Sequence, residues 1–171
     1  IPKTKKWYKS IYGAYLSKAK NIEPRFKKKH RAKVTIKYPF GSCTYNSKIR
    51  LTGDWKDHLK MTKEGFLSSS VQVELKNGNV QNAVKFKLLL PHTRNGREEV
   101  FGAGLFRYFG FIAPETFFTN ACINLICGSV LFQESSEKEM LERNNRKEGP
   151  IYEGDESQVW GWQSYGMWKI H

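Results

Sequence analysis

Cysteine and histidine spacing often identifies a metal or thiol active site, and here it argues against both. Cys43, Cys122 and Cys127 are an odd number and contain no C-x-x-C pair. The four histidines are scattered and have no H-E-x-x-H spacing. A structural zinc site needs about four N or S ligands. We therefore expect no metal site and interpret the cysteines as free or buried thiols.

Lysines and glutamates on regular elements are the other side chains that could do chemistry. An apolar run over residues 83–90 carries Lys85 and Lys87 at alternating positions, as in an amphipathic strand. Glu98 and Glu99 follow in the first turn of a predicted helix, where the helix dipole favours negative charge. Both pairs also have a purely structural explanation, since strand lysines can face solvent and first-turn glutamates stabilise helices.

The basic character of the chain comes from its first 50 residues. The net charge is +13. Residues 1–50 hold 15 lysines and arginines against the single acid Glu23, a balance of +14, whereas residues 51–171 hold 14 against 15 acids, a balance of −1. A one-sided field attracts polyanions. A nucleic-acid or anionic-membrane binding module acting through residues 3–50 is therefore one possible function.

The composition indicates a folded domain. The chain has 171 residues, of which 39% are hydrophobic and 14% aromatic, enough to bury one core. No apolar run approaches the ~18 residues that a membrane-spanning helix needs, and no signal peptide is visible. Because the chain begins at Ile1 and ends in an aromatic stretch, we interpret it as a fragment, and its compartment stays unknown.

The elements that must position these side chains begin with a helix. Trp7, Ile11 and Tyr15 recur at helical spacing and form an aromatic face on a lysine-rich segment. We predict that this face packs on the protein's own sheet, with a membrane or a partner as the alternative. Pro24 ends the pattern, and the basic run over residues 25–31 is expected to be solvated.

Period-two alternation of apolar residues predicts the strands. They are expected around residues 34–38, 49–51, 71–75, 83–90, 117–126 and 129–134. The predicted fold is therefore α+β, a twisted antiparallel sheet of five or six strands with one packed helix and flanking helices.

Two later helices have start signals of their own. Asn95 is predicted to cap the first of them, and Ser136 with Glu139 forms an S-x-x-E capping box for the second. Gly102-Ala103-Gly104 lies within a helical pattern, so we do not interpret it as a phosphate loop. The buried face of the first helix is expected to consist of Val100, Phe101, Leu105 and Phe109.

Three stretches of the sequence carry a family resemblance. Residues 48–59 read K-I-R-L-T-G-D-W-K-D-H-L, residues 85–95 contain K-F-K-L followed by T-R-N, and residues 138–151 read K-E-M-L-E-R-N-N-R-K-E-G-P-I. These stretches resemble the sequences of the CotH-type atypical kinases, the spore coat protein H family. Together the matches span nearly two thirds of the chain. Shorter matches lie at Ile123-Asn124, Gly128, Gln133-Glu134 and Asp155-Glu156.

The resemblance implies a kinase small-lobe-like fold that serves phosphate transfer from ATP to protein side chains, with Mg²⁺ or another divalent metal. In a kinase small lobe a strand supplies a lysine, the next helix supplies a glutamate that pairs with it, and the fifth strand leads to the hinge. Lys85 would accordingly hold phosphate and pair with Glu99. Arg50 and Arg94 would add planar cations, and Glu134 would lie at the hinge.

The sequence also departs from the family text. Thr52, Gln72 and Glu74 stand where the family carries cations, which should weaken nucleotide binding. No H-R-D-like or D-F-G-like element appears, so no catalytic residue is assigned. We therefore expect a chain that is inactive alone and a parent that is a pseudokinase or a weak nucleotide binder.

The expected organisation has three parts. Residues 1–32 form a basic aromatic helical arm, residues 33–156 a kinase-like amino-terminal lobe, and residues 157–171 the start of a truncated carboxy-terminal region. The expected partners are ATP, an unidentified protein substrate and the missing carboxy-terminal lobe. The resemblance allows a spore coat or cell surface location. It also leaves open a purely structural coat or surface protein without catalysis.

Overall fold

The computed structural model describes residues 1–152. Its helices are α1 (Thr4–Leu16), α2 (Glu98–Tyr108) and α3 (Lys138–Arg143), with short 3-10 turns at Pro24–Phe26, Lys56–His58 and Pro91–Arg94. Its strands are β1 (His30–Tyr38), β2 (Gly41–Leu51), β3 (Leu59–Met61), β4 (Leu67–Ser69), β5 (Val71–Leu75), β6 (Lys85–Leu89), β7 (Thr116–Ile123) and β8 (Ile126–Glu134).

Six of the strands form one antiparallel sheet in the order β1-β2-β5-β6-β8-β7. Strands β3 and β4 form a separate two-stranded sheet, which the sequence patterns did not predict. The α+β class and the antiparallel sheet of five or six strands are confirmed. None of the described helices is long and apolar enough to cross a membrane.

Helix α1 covers the apolar face of this sheet. Trp7, Ile11 and Ala14 are at most 1% exposed. They share one core with alternate residues of the central strands, because successive strand residues point to opposite faces. The prediction that the aromatic face of the first helix packs on the protein's own sheet is confirmed. The strand residues of this core include Ile49, Leu51, Val71, Val73 and Phe86.

Helix α2 departs from its prediction at its start and on its apolar side. Asn95 has a left-handed conformation at the end of a 3-10 turn, and Arg97 precedes the helix without a side-chain cap. Ala103 is the buried residue of the helix. Since α2 contacts the sheet mainly at the edge strand β7, its large apolar side chains stay exposed. The exposed fractions are 71% for Phe101, 43% for Leu105 and 64% for Phe109.

The hairpin of β7 and β8 turns at Asn124 and Leu125. Cys122 and Cys127 are directly opposed across it and form a disulfide. The interpretation of these two cysteines as thiols is therefore wrong. They are five residues apart in sequence, and the tight hairpin between them brings them directly opposite each other. Cys43 is free and exposed.

Helix α3 begins at Lys138 after Glu137, without a side-chain capping bond. The predicted capping box of Ser136 and Glu139 is therefore wrong. The matches at Asp155-Glu156 and the region 157–171 lie outside the described residues.

Candidate functional site

The face of the sheet opposite the core carries a row of polar side chains. In the strand register Arg50 of β2 pairs with Gln72 of β5, Gln72 with Lys87 of β6, and Lys87 with Gln133 of β8. Directly paired residues project to the same side of a sheet. We call Arg50, Gln72, Lys87 and Gln133 the polar row.

Hydrogen bonds and burial hold the polar row in place. Arg50 Nε donates to Gln72 Oε1 at 2.7 Å. Gln133 Nε2 donates to Oε1 of Glu99, which lies in the first turn of α2. Gln72 and Gln133 are 6% and 8% exposed. The row therefore presents two half-buried cations, Arg50 and Lys87, alternating with two anchored amides.

The expected pair of Lys85 and Glu99 is not formed. Lys85 Nζ donates to Glu137 Oε1, whereas Glu99 accepts from Gln133. Lys85 and Lys87 lie two residues apart on β6 and so share a face of the sheet. Lys87 is the cross-strand neighbour of Gln133, and Gln133 is bonded to Glu99. Lys87, and not Lys85, is therefore the lysine that belongs to the polar row.

Glu134 lies on the apolar side of the sheet, away from the polar row. It pairs with Phe86 in the register, and its side chain is 1% exposed. Its Oε2 accepts from Arg143 Nη2 at 2.6 Å and from the backbone N of Glu115 at 3.0 Å. Burial raises the pKa of Glu134, and these two hydrogen bonds oppose the rise. Glu134 therefore joins β8 to α3 and does not face the other candidate residues.

Arg94 lies at one end of the sheet, near the loop over residues 52–58. It is exposed and ends the 3-10 turn after β6. Burial lowers the pKa of His58, nearby Asp57 opposes the change and Arg94 reinforces it. Gly53 has φ +89°, and a Cβ there would overlap the His58 ring. The loop thus encloses a buried imidazole that lies within the electrostatic influence of Arg94.

Backbone and side-chain hydrogen bonds tie this loop to the ends of the central strands. Ser70 N donates to the carbonyl of His58 at 2.9 Å. Ser70 Oγ accepts from Leu90 N at 2.9 Å, and a ring nitrogen of His92 lies 2.8 Å from the carbonyl of Asp57. These residues adjoin the strand positions that carry the polar row, so Arg94 and the row lie at the same end of the sheet.

Two acids near the row are paired with lysines. Lys29 donates to Glu74 at 2.5 Å, and this bond, together with the charge of Lys48, lowers the pKa of Glu74. Lys27 donates to Asp54 at 2.8 Å and lowers its pKa in the same way. Glu74 therefore opposes an anion on this face less than an unpaired carboxylate would, because its charge is already paired with Lys29.

The polar face is suited to binding an anion. Arg50 offers a planar set of donors and Lys87 a compact ammonium, and both groups hydrogen-bond phosphate oxygens well. Within residues 1–152 no three histidine, cysteine, aspartate or glutamate side chains are placed to hold a metal ion.

Three members of the polar row were not among the candidate residues. The alternation of Lys85 and Lys87 along β6 was the available signal for Lys87. Gln72 was noticed only as a departure from the family text. Gln133 had only the short Gln133-Glu134 family match as a signal, and its place in the row depends on the pairing of β6 with β8.

No protein-family model matches this sequence, and no curated protein matches it. The interpretation of the polar row therefore rests on the chemistry of its side chains and on the residues quoted for the CotH resemblance.

Proposed function

We propose that this chain contributes the nucleotide-facing lobe of a CotH-like atypical protein kinase, an enzyme that transfers phosphate from ATP to protein side chains. The observation that carries the proposal is the polar row, with Arg50 and Lys87 on a half-buried sheet face and Glu99 of the following helix bonded to Gln133. A kinase small lobe also places a strand lysine and a helix glutamate beside the sheet face that covers the phosphates, but there the glutamate pairs with the lysine itself.

The phosphates of the nucleotide would lie across the row. Strand β5 separates β2 from β6, so the backbones of Arg50 and Lys87 are about 10 Å apart. Both side chains are long enough to reach a polyphosphate placed over Gln72. Arg94, at the same end of the sheet, would supply a further cation. Glu134 has no part in this arrangement, because it faces the core.

Phosphate transfer needs more than this lobe. Kinases use an acid that orients the acceptor hydroxyl and carboxylates that hold the metal, and the sequence contains no H-R-D-like or D-F-G-like element. For this chain alone we therefore propose binding of ATP with Mg²⁺ but no catalysis. The missing cations at Thr52 and Gln72 lead us to expect weak binding, with a Kd of about 1 mM.

An NMR titration of the isotope-labelled chain with ATP and Mg²⁺ tests the proposal. Arg50→Ala and Lys87→Ala should each weaken binding about tenfold or more, since a hydrogen bond to a charged group contributes ~1.5–3 kcal/mol. Lys60→Ala removes the same charge from an exposed position on β3 and should leave binding unchanged. Lys85→Ala should have a smaller effect than Lys87→Ala, because Lys85 is paired with Glu137.

Two results would contradict the proposal. The first is the absence of any ATP-dependent shift at the amides of the polar row. The second is an equal loss of binding in Lys60→Ala and Lys87→Ala, which would indicate attraction by net charge alone. A melting temperature that ATP leaves unchanged would favour a structural coat or surface protein, because a ligand that binds only the folded state must raise it.

A further inference from the structure

The hairpin of β1 and β2 extends beyond the rest of the sheet. Strand β5 pairs with β2 only over residues 47–51, whereas β1 pairs with β2 along its whole length, to Tyr38 opposite Gly41. Next to the pairing of β5 with β2, Lys76 N donates to the carbonyl of Asn46 at 2.8 Å. The outer part of the hairpin, residues 35–44, therefore projects from the sheet by about 13 Å, the length of four strand residues.

One face of this hairpin carries a file of cations. Arg31, Lys33 and Lys37 lie at alternating exposed positions of β1, about 6.6 Å apart between nearest positions. Lys48 of β2 pairs with Arg31 and lies on the same face. No ion pair involves these four side chains within the described part of the chain. The charges of Arg31, Lys33 and Lys37 are available to a partner, whereas Lys48 lies opposite Glu74.

The tip of the hairpin carries an exposed aromatic ring stacked on a half-buried one. Phe40 is 85% exposed and stacks on Tyr38, with ring centroids 5.1 Å apart and an interplanar angle of 5°. Single exposed apolar side chains are ordinary on protein surfaces. This ring differs because it lies at the outermost point of a projecting hairpin, three residues from Lys37.

The arrangement of rings and cations distinguishes between anionic partners. Single-stranded nucleic acids bind where aromatic rings lie among the cations, so that bases can stack. On this hairpin the cationic face contains no ring, since the residues between and beside the lysines are Thr35, Ser42, Thr44 and Asn46. The stacked rings of Tyr38 and Phe40 lie beyond the cations, at the tip. Tyr38 projects to the face opposite Lys37, because adjacent strand residues point to opposite faces. A bilayer matches this order, because it places apolar chains below a layer of charged headgroups.

We propose that the β1–β2 hairpin is a docking site for an anionic phospholipid bilayer. Phe40 enters the boundary between headgroups and acyl chains, and Lys37, Lys33 and Arg31 contact the headgroups. Helix α1, with its exposed lysines, lies on the opposite side of the sheet and does not take part. The polar row continues the same face of the sheet at Arg50, two residues from Lys48, but the proposed membrane contacts lie farther out on the hairpin, so this proposal does not depend on nucleotide binding.

Co-sedimentation of the full chain with vesicles tests the proposal. The chain should bind phosphatidylcholine vesicles that contain about one third phosphatidylserine, and bind pure phosphatidylcholine vesicles far more weakly. Phe40→Ser should reduce binding about tenfold, because it removes the buried ring. Lys33→Ala/Lys37→Ala should reduce it about tenfold or more, since each cation near an anionic surface contributes about fivefold.

The matched control removes two lysines from the other side of the protein. Lys5 and Lys9 are exposed on α1, so Lys5→Ala/Lys9→Ala changes the net charge equally but should leave vesicle binding unchanged. Equal losses in the two double variants would overturn the proposal, as would full binding by Phe40→Ser. Tighter binding to a single-stranded oligonucleotide than to the vesicles would identify nucleic acid as the partner and also overturn it.

Discussion

Replacing Trp7 by alanine tests whether the first helix belongs to the folded core. The Trp7 side chain is 1% exposed, and its ring makes an edge contact with His30 at 5.4 Å between centroids. Removal of a buried tryptophan costs about 3–5 kcal/mol through lost burial and the cavity left behind. The whole stability of a domain is about 5–15 kcal/mol. We therefore expect Trp7→Ala to lose a large fraction of the free energy of unfolding.

The measurement is urea unfolding of the full chain followed by far-UV circular dichroism, which does not depend on the tryptophan signal. Leu16→Ala is the control, because Leu16 ends the same helix and is 74% exposed, so its cost should stay within about 0.5 kcal/mol. Ile11→Val provides a milder core change. Ile11 is 1% exposed, and the loss of one methylene should cost about 0.5–1.5 kcal/mol.

The reasoning is refuted if Trp7→Ala and Leu16→Ala unfold at the same urea concentration. If it holds, deletion of residues 1–31 is unsuitable as a test of the basic region. That deletion would also remove Ile22, which is 2% exposed. A loss of polyanion binding would then report unfolding rather than lost charge, and surface substitutions are required instead.

Two further predictions concern single side chains. Gly53→Ala should cost about 1–3 kcal/mol more than Gly65→Ala, since both glycines have positive φ but only a Cβ at Gly53 would overlap His58; equal urea midpoints would refute this. Arg143→Ala should cost about 3–5 kcal/mol at pH 7, because it leaves the buried Glu134 carboxylate without its cation. The pKa of Glu134 is raised on folding. Protonation of Glu134 therefore stabilises the folded state. This stabilisation is complete below the usual pKa of 4.5 and is lost as the pH rises through the raised pKa of the folded protein. The Arg143→Ala cost should accordingly shrink as the pH falls through that range, and a pH-independent cost would contradict the assignment.

Alternation of apolar residues predicted the sheet well, because a half-buried strand must place its apolar side chains on one face. The same reasoning predicted that Trp7 and Ile11 face the core. It was wrong for α2, where Phe101 and Phe109 have a helical apolar pattern but stay exposed. A helical pattern identifies an apolar side and not what that side contacts.

The pairing of the strands places the candidate residues on different faces of the sheet. Adjacent residues of a strand point to opposite faces, so Glu134 points into the core while its neighbour Gln133 bonds to Glu99. The expected lysine, Lys85, is paired with Glu137. Neither outcome could be predicted from the chain alone, because each partner lies on another element.

The sequence by itself determined the fold class, most of the strands, the buried face of the first helix and the concentration of positive charge before residue 51. These features depend on local periodicity and composition. Only the tertiary structure decided that Arg50, Gln72, Lys87 and Gln133 form one row and that the cysteines at 122 and 127 are bonded. Those contacts depend on strand register, and a shift of one residue would turn every side chain to the opposite face.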